Sequence, residues 1–313
     1  MRIFFATDLH GSERCYRKFL NAKAFYQADF LILGGDLTGK AILPIIKTKP
    51  KEYQTRFLNQ DRNINEKDLP TLIKQVQDTG LYPYITEKEE VELLRENLQQ
   101  SKELFERLIQ ERLTNWINLA EERLKPSGIP LYIIPGNDDS WGIDRILSQS
   151  KWCINLARQR QLLGNGFEIV GLDYSNPTPW DSPRELEDDA LMEKIEATLV
   201  DVAFMDRCIF NFHCPPRDTS LDKAPKLTVD LKPIMAGGQM MMESVGSRSV
   251  RTAIQKYQPL LGLHGHVHES RASVTLGHTL CLNPGSEYSD GFLRGAIIDI
   301  ENERVARYQF TSG

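Results

Sequence analysis

Five segments of this 313-residue chain end an apolar run with side chains that commonly bind metal ions. In chain order, these side chains are Asp8 and His10; Asp36; Asn137, Asp138 and Asp139; His213; and His264, His266 and His268. Such side chains gather at the carboxyl ends of neighbouring strands where an α/β protein builds a binding site. Five clusters with the same placement predict one polar centre that holds more than one metal ion.

The ligand types narrow the choice of metal. Mixed imidazole and carboxylate ligands suit Mn, Fe, Zn or Ni better than Ca or Mg. The sequence does not choose among these four, and we expect Mn. Two cations about 3.5–4 Å apart repel each other, and a carboxylate shared between them lowers the energy of that repulsion. Asp36 suits the shared position, because Gly34 and Gly35 before it let the backbone turn tightly.

The order of these clusters resembles the motif series of the calcineurin-like metallophosphoesterases, D-x-H, G-D, G-N-H-D/E, H and G-H-x-H. The matching motifs are Asp8-x-His10, Gly35-Asp36, Gly136-Asn137, His213 and Gly265-His266-x-His268. Residues 213–216 and 283–286 are also similar to small phosphodiesterase-type members of that group. The resemblance implies an α/β fold, a four-layer αββα sandwich of two mixed β-sheets flanked by helices.

The resemblance also implies the roles of the ligands. It divides them into two sets that share Asp36: Asp8, His10 and His268 for one metal, and Asn137, His213 and His266 for the other. A water or hydroxide held at such a pair has a pKa near ~7 and attacks phosphorus, so no covalent protein nucleophile is needed. We therefore expect a metal-dependent phosphoester hydrolase with a small phosphoester substrate.

Asp138 departs from the pattern, since the family has histidine there to contact the phosphate and protonate the leaving oxygen. An ionised carboxylate repels a phosphate dianion, but a carboxyl group can act as a general acid if its pKa is raised. We expect weak phosphomonoesterase activity and a preference for diesters, with Asp138 as the candidate catalytic acid. The alternatives are a phosphomonoesterase and a metal-binding regulatory protein with little turnover.

The composition excludes several other classes. Hydrophobic residues make up 41% and charged residues 26%, which is typical of a globular protein, and the net charge of −5 argues against nucleic acid as a partner. No apolar stretch approaches the ~20 residues of a membrane span, and the first strand leaves no room for a signal peptide. Five scattered cysteines without a C-x-x-C pair complete the prediction of a cytoplasmic protein that does not associate with membranes.

The pattern of residues predicts a single domain, 1–313, with an insertion at 41–126. Within the insertion we expect a hairpin (42–47 and 53–60), a helix over 69–79, and a long helix that starts at a capping box near residue 86 and projects from the main body. We favour an amphipathic helix that covers a sheet edge or a dimer surface over a lid on the active site. A homo-oligomer through the insertion is therefore an open expectation.

After residue 129 the pattern of strands and helices resumes. Ser182-Pro183-Arg184-Glu185 predicts a helix start, with the helix running to Val200. A further helix is expected over 248–258, followed by four short strands at 273–276, 279–282, 295–301 and 304–310.

Several polar and aromatic residues near the motifs receive secondary roles. We expect His264 to be structural or to contact a ligand from behind, Asp139 to orient a neighbouring group, and His278 to lie on the surface. Tyr174 and Trp180 could stack on a ring of the substrate, but local packing is the favoured interpretation. Arg217 and Lys223 are expected to be solvated rather than to bind phosphate.

Overall fold

The computed structural model describes all 313 residues, 1–313. Its strands, in chain order, are β1 Arg2–Ala6, β2 Phe30–Gly34, β3 Ile42–Lys49, β4 Glu52–Phe57, β5 Gln60–Asn65, β6 Tyr82–Thr86, β7 Leu131–Ile134, β8 Cys153–Asn155, β9 Gln159–Gly164, β10 Phe167–Leu172, β11 Cys208–Phe212, β12 Lys223–Pro225, β13 Met235–Ala236, β14 Gln239–Met240, β15 Met242–Ser244, β16 Leu261–Leu263, β17 Ala272–Leu276, β18 Thr279–Asn283, β19 Arg294–Glu301 and β20 Arg304–Ser312. The α-helices are α1 Glu13–Tyr26, α2 Leu69–Asp78, α3 Lys88–Glu96, α4 Leu98–Leu124, α5 Ile143–Leu147, α6 Asp188–Leu199 and α7 Arg248–Tyr257.

Two six-stranded sheets form the centre of the molecule. The first has the order β20-β19-β1-β2-β7-β8, and the second has the order β17-β18-β16-β11-β10-β9. The inner strands of each sheet are parallel, whereas β19 and β20 in the first sheet and β17 and β9 in the second run antiparallel to their neighbours. Both sheets are therefore mixed, as predicted.

Alternating side chains place each sheet between two apolar layers. In β1, Phe4 packs into a core with α1, α4 and α5, whereas Phe5 packs into a second core that lies between the two sheets. In β10, Ile169 belongs to the core between the sheets, and Val170 belongs to a third core with α6 and α7. Strands buried on both faces explain the continuous apolar runs in the sequence. The α/β sandwich predicted from the resemblance is confirmed.

The segment over residues 41–86 forms a smaller unit beside the first sheet. Its four strands have the order β5-β4-β3-β6, and α2 closes over them around Ile45, Phe57 and Val76. The predicted hairpin is confirmed as β3 and β4, and the predicted helix as α2. The sequence analysis did not find β5 and β6. β5 carries mostly exposed polar residues, so an apolar pattern is absent there.

The long helix predicted from residue 86 is two helices, α3 and α4. The break falls at Asn97, whose side-chain oxygen accepts a hydrogen bond from the backbone N–H of Gln100 and caps α4. The predicted capping box at Thr86 is wrong, because the residue at the start of α3 is Glu87 and its side chain caps no backbone N–H.

Helix α4 is part of the main body and does not project from it. Trp116 stacks on Tyr16 of α1 with 4.0 Å between ring centroids, and the Tyr16 hydroxyl donates to the Trp116 carbonyl. Ile109, Leu113 and other residues on the same face of α4 belong to the core beside the first sheet. This packing agrees with the favoured interpretation of an amphipathic covering helix.

The prediction that residues 182–185 start a helix is wrong. Pro183 and Arg184 lie in a turn, Glu185 forms a bridge with Ser175, and α6 begins only at Asp188. The structure instead buries Arg184 completely. Tertiary hydrogen bonds to this one side chain outweigh a local capping signal. The predicted helix at 248–258 and the four strands near the end of the chain are confirmed as α7 and β17–β20.

No helix combines the length and the apolar character that a membrane crossing requires. All five cysteines are free and buried. The exposed position predicted for His278 is confirmed.

Replacing Arg184 should destabilise the whole fold. Its guanidinium donates to Asp173 at 2.5 Å, to Asp144 at 2.7 Å and to the Asp139 carbonyl at 2.8 Å. Arg184→Met leaves the buried Asp173 carboxylate without its main partner, so we expect a loss of about 3–5 kcal/mol in the free energy of unfolding, measured by urea denaturation. The exposed pair of Lys256 with Glu196 gives the control.

We expect Lys256→Met to cost no more than about 1 kcal/mol, since exposed ion pairs contribute little. Equal losses in the two variants would contradict the assigned role of Arg184. Partial rescue of Arg184→Met by a second substitution, Asp173→Asn, would support it.

Candidate metal centre

The predicted ligands come together at the carboxyl ends of five parallel strands. Loops after β1, β2, β7, β11 and β16 supply them, and the first three strands belong to one sheet and the last two to the other. Parallel strands present their carboxyl ends at one edge. The two sheets bring two such edges together, and all seven residues predicted as ligands meet there: Asp8, His10, Asp36, Asn137, His213, His266 and His268.

Four of these residues form one compact group. Single ligand atoms of Asp8, His10, Asp36 and His268 all lie within 4.8 Å of one another. His10 Nε2 is 3.0 Å from His268 Nε2 and 3.5 Å from Asp36 Oδ2. His268 Nε2 is 3.5 Å from Asp8 Oδ1. This is the set that the resemblance assigns to the first metal, together with the shared aspartate.

The other three residues form a second group around an amide oxygen. Asn137 Oδ1 lies 2.7 Å from His266 Nδ1 and 3.0 Å from His213 Nε2. His213 Nε2 is also 3.5 Å from Asp36 Oδ1. Asp36 therefore faces His10 with one oxygen and His213 with the other, which is the arrangement expected of a bridging carboxylate.

The chemistry of the donors fits a cation. Two imidazole nitrogens that approach to 3.0 Å, as in His10 and His268, repel each other unless a proton or a metal ion lies between their lone pairs. Carboxylates stand on both sides of that contact. In addition, the cavity above the site is lined by five acidic residues, Asp36, Glu106, Asp138, Asp181 and Glu269, and by one lysine. A divalent ion would offset this negative charge.

Four residues of the site have left-handed backbone conformations. The φ angles are 54° at Asp8, 41° at His10, 51° at Asp36 and 68° at His266. Such conformations are costly for residues other than glycine and cluster at functional sites. They are held by hydrogen bonds between loops, for example from the His10 N–H to the Asp36 carbonyl at 2.9 Å.

Two glycines of the motifs allow these close approaches. A Cβ atom on Gly136 would lie 2.2 Å from Asp36 Oδ1, and one on Gly265 would lie 2.4 Å from Asp8 Oδ2. Any larger residue at either position would push a carboxylate out of place. The G-N and G-H pairs in the motifs thus have a steric reason.

Burial and mutual charge set the protonation of the site. Burial disfavours the charged form of His213, but the Asp36 carboxylate outweighs it and raises the pKa of His213 to about 10. Burial lowers the pKa of His10 and of His266 to about 4. Burial also opposes ionisation of Asp8, but the neighbouring His268 reverses that effect and lowers the pKa of Asp8 to about 2.

Asp138, the candidate catalytic acid, lies at the rim of the cavity. Its Oδ2 is 2.7 Å from the ammonium of Lys40, and its Oδ1 accepts from the Ser182 hydroxyl at 2.8 Å. Its backbone N–H donates to Asp36 Oδ1 at 3.0 Å. The sequence analysis did not place Lys40 or Ser182 at the site, because no motif marks Lys40 and the local pattern at Ser182 predicts a helix cap.

Asp139 orients the loops behind the site, as predicted. It is fully buried and accepts hydrogen bonds from the backbone N–H groups of Leu37, Thr38 and Gly136 and from the Thr38 hydroxyl. Burial and the charge of Asp36 raise the pKa of Asp139 to about 6 despite these bonds.

His264 lies behind the ligands. Its Nδ1 is within 3.0 Å of the carbonyls of Phe212 and Cys214, and burial lowers its pKa to about 4. The prediction of a structural role is confirmed. Tyr174 is buried, in agreement with local packing, whereas Trp180 is 63% exposed and lines the cavity.

Two more residues near the first group were not predicted individually. The Tyr288 ring lies 4.7 Å from the His10 ring, centroid to centroid. The Ser286 hydroxyl donates to the Asp8 carbonyl at 2.6 Å and so braces the D-x-H loop. Ser286 belongs to the 283–286 segment that carries part of the resemblance. Tyr288, two residues further on, has no motif to mark it.

Comparison of sequences matches about half of the chain to a curated protein. No family model matches the chain. The uncharacterized protein MJ1162 of Methanocaldococcus jannaschii is 30% identical over 154 residues, 48% of this chain and 62% of that protein. The chain thus spans less than two thirds of the length of this curated relative.

Two solved structures match almost the whole chain. The structure of TT1561 from Thermus thermophilus has 14% identity and a TM-score of 0.54, and the match covers 100% of this chain and 97% of that one. A second structure has 16% identity and a TM-score of 0.59, with 99% and 98% covered. At these identities the likeness shows the fold alone. Both structures thus share the α/β sandwich of this chain.

Metal binding should release protons from this site. With a pKa near 10, His213 carries a proton at pH 7 when no metal is bound, and a histidine must be neutral to bind a metal through its ring nitrogen. The apparent affinity for Mn²⁺ should therefore rise with pH, by up to about tenfold per unit for each competing proton. Calorimetric titration at pH 7 in buffers of different ionisation enthalpy should show release of about one proton per protein. A heat that does not depend on the buffer would contradict this assignment.

Proposed function

We propose that this protein is a phosphodiesterase that uses two divalent metal ions shared by Asp36. The observation that carries the proposal is the position of the Asp36 carboxylate, with one oxygen 3.5 Å from His10 and the other 3.5 Å from His213. Each side of Asp36 is completed by the set of donors that the resemblance assigns to one metal. Mn remains the expected metal.

Bound metals would supply a water of lowered pKa and would neutralise charge on the phosphoryl oxygens. The oxygen of water forms a bond to phosphorus, the ester P–O bond breaks, and the departing oxygen takes up a proton. The products are a phosphomonoester and an alcohol. In this arrangement no serine or cysteine needs to act as a nucleophile, and the five cysteines are all buried.

The surroundings of Asp138 support a diester substrate. Lys40 compensates the Asp138 charge, so this side of the cavity contributes a neutral pair where the family has an imidazole. The other acidic residues of the cavity repel a dianion more strongly than a monoanion. A diester carries one charge less than a monoester and suits this cavity better. The Ser182 hydroxyl and Lys40 hold Asp138 at the rim of the cavity. Within this ion pair the Lys40 ammonium carries the proton, so Asp138 would act as the acid only with its carboxyl group protonated and the pair with Lys40 broken.

The regulatory alternative rests on the presence of Asp138 where the family has histidine, since loss of the histidine could lower turnover.

An acidic cavity and a net charge of −5 argue against a polyanionic nucleic acid substrate. A cytoplasmic location and oligomerisation through residues 41–126 stay predictions.

The substitution Asp36→Asn, which removes the charge of the shared carboxylate, should distinguish a two-metal site from a one-metal site. We expect the wild-type protein, loaded with Mn²⁺ and desalted, to retain about two ions by elemental analysis, and Asp36→Asn to retain one or none. Activity in the variant should fall by at least about 10³-fold. Asp201→Asn, an exposed carboxylate remote from the site, is the matched control. Full retention of both ions by Asp36→Asn would contradict the bridging role.

The choice between diesters and monoesters can be tested directly. We expect the Mn-loaded enzyme to hydrolyse bis-p-nitrophenyl phosphate with a kcat/KM at least about tenfold higher than that for p-nitrophenyl phosphate. Asp138→His should raise monoesterase activity, because it replaces a carboxylate with a group that can carry positive charge. Faster cleavage of the monoester by the wild type would overturn the preference. Phosphate binding without hydrolysis of either ester would favour the regulatory alternative.

A further inference from the structure

A second cavity of about 690 Å³ adjoins the candidate metal centre. One wall is the loop over residues 176–180, and the other comprises residues 224–233 and 243–245; we call it the side groove. Trp180, His266 and Glu269 line both the side groove and the cavity above the metal ligands. Because His266 belongs to the candidate metal centre, the two cavities meet where a bound phosphate would lie.

The lining of the side groove is mostly apolar. Eleven of its 19 lining residues are apolar: Pro177, Pro179, Trp180, Ala224, Pro225, Leu227, Val229, Leu231, Pro233, Val245 and Val267. Of these, Trp180 is 63% exposed and Leu231 is 45% exposed. Scattered exposed apolar residues are common, but a contiguous apolar surface beside a polar centre marks a ligand site. The charged residues of the groove are Arg217, Glu243 and Glu269, so two carboxylates outweigh one guanidinium and give an anion little net attraction.

Hydrogen bonds hold both walls in place. The Asn176 side chain donates to the Val245 carbonyl at 3.0 Å and so connects the walls to each other. Glu185 accepts from the Thr178 backbone N–H at 2.9 Å and fixes the 176–180 loop. Asp222 accepts from the Thr219 and Gly246 N–H groups and fixes the base of the other wall. A groove formed before binding loses little conformational entropy when a ligand enters.

We propose that the side groove binds an apolar, ring-sized ester arm of the substrate, while the phosphate lies at the metal centre. This inference rests on the proposed phosphodiesterase function and names the class of diester. A diester has two arms, and two cavities of different character diverge from His266. The prolines and Trp180 offer flat apolar surfaces for a ring.

The test compares two diesters with the same leaving group and the same charge. We expect phenyl p-nitrophenyl phosphate to have a kcat/KM roughly tenfold higher than methyl p-nitrophenyl phosphate, because the phenyl ring buries more apolar area. Trp180→Ala and Leu231→Ser should each reduce that ratio to below about threefold. Leu162→Ser, at an exposed leucine outside the groove, is the matched control and should leave the ratio unchanged.

Equal kcat/KM values for the two diesters in the wild type would overturn the groove assignment and leave the phosphodiesterase proposal standing. If the enzyme cleaves neither diester, the phosphodiesterase proposal fails. Calorimetry with diphenyl and dimethyl phosphate then tests the groove assignment. The assignment is supported if diphenyl phosphate binds more tightly than dimethyl phosphate and if Leu231→Ser weakens that binding. Equal binding of the two diesters overturns the assignment. A concentration-dependent dimer that Leu231→Ser disrupts would show that a second copy covers the groove, which would also overturn the proposal.

Discussion

The structure of the candidate site depends on one buried, ionised carboxylate. Asp36 is 3% exposed, and burial opposes its charge, yet the neighbouring His213 and His10 hold its pKa well below the usual range. A buried charge without partners costs several kcal/mol, so these neighbours are a condition of the fold as well as of function. The Asp138 backbone N–H supplies a further hydrogen bond to Asp36. Loops from both sheets therefore close around one side chain.

The apolar runs of the buried parallel strands made both the sheets and the ligand positions predictable from the sequence. Parallel strands buried on both faces give apolar runs, and a functional side chain directly after such a run lies at the carboxyl edge of the sheet. Asp8 and His213 could thus be placed without knowing which strands are neighbours. Lys40 could not, because its contact with Asp138 joins two loops 98 positions apart and neither loop has a periodic pattern. The same holds for Tyr288 beside His10.

The wrong predictions arise where a local sequence signal for a helix start or a continuous helix competes with contacts to residues distant in the sequence, or with a local cap. Residues 182–185 have the composition of a helix start, but the Arg184 guanidinium makes a buried contact with Asp173 and Asp144, which holds Pro183 and Arg184 in a turn instead of a helix. Several charge-assisted hydrogen bonds outweigh a capping preference of about 1 kcal/mol. At Asn97 the opposite occurs, since a local cap divides an apolar pattern that continues through two helices.

Under the proposed function, the charges around the site would make substrate binding depend on metal binding. Asp8 and Asp36 bring two negative charges to the centre, protonated His213 offsets one of them when no metal is bound, and Lys40 and Asp138 cancel each other. The remaining acidic residues of the cavity, including Glu106 and Glu269, add to the negative potential. An anionic ester would thus be repelled from the protein alone, and cations must be bound before it can enter. Because the Lys40–Asp138 pair adds no net charge, the proposed function makes attraction of a phosphate depend on bound metals, and discrimination between substrates would then depend on their charge and on the shape of their ester arms.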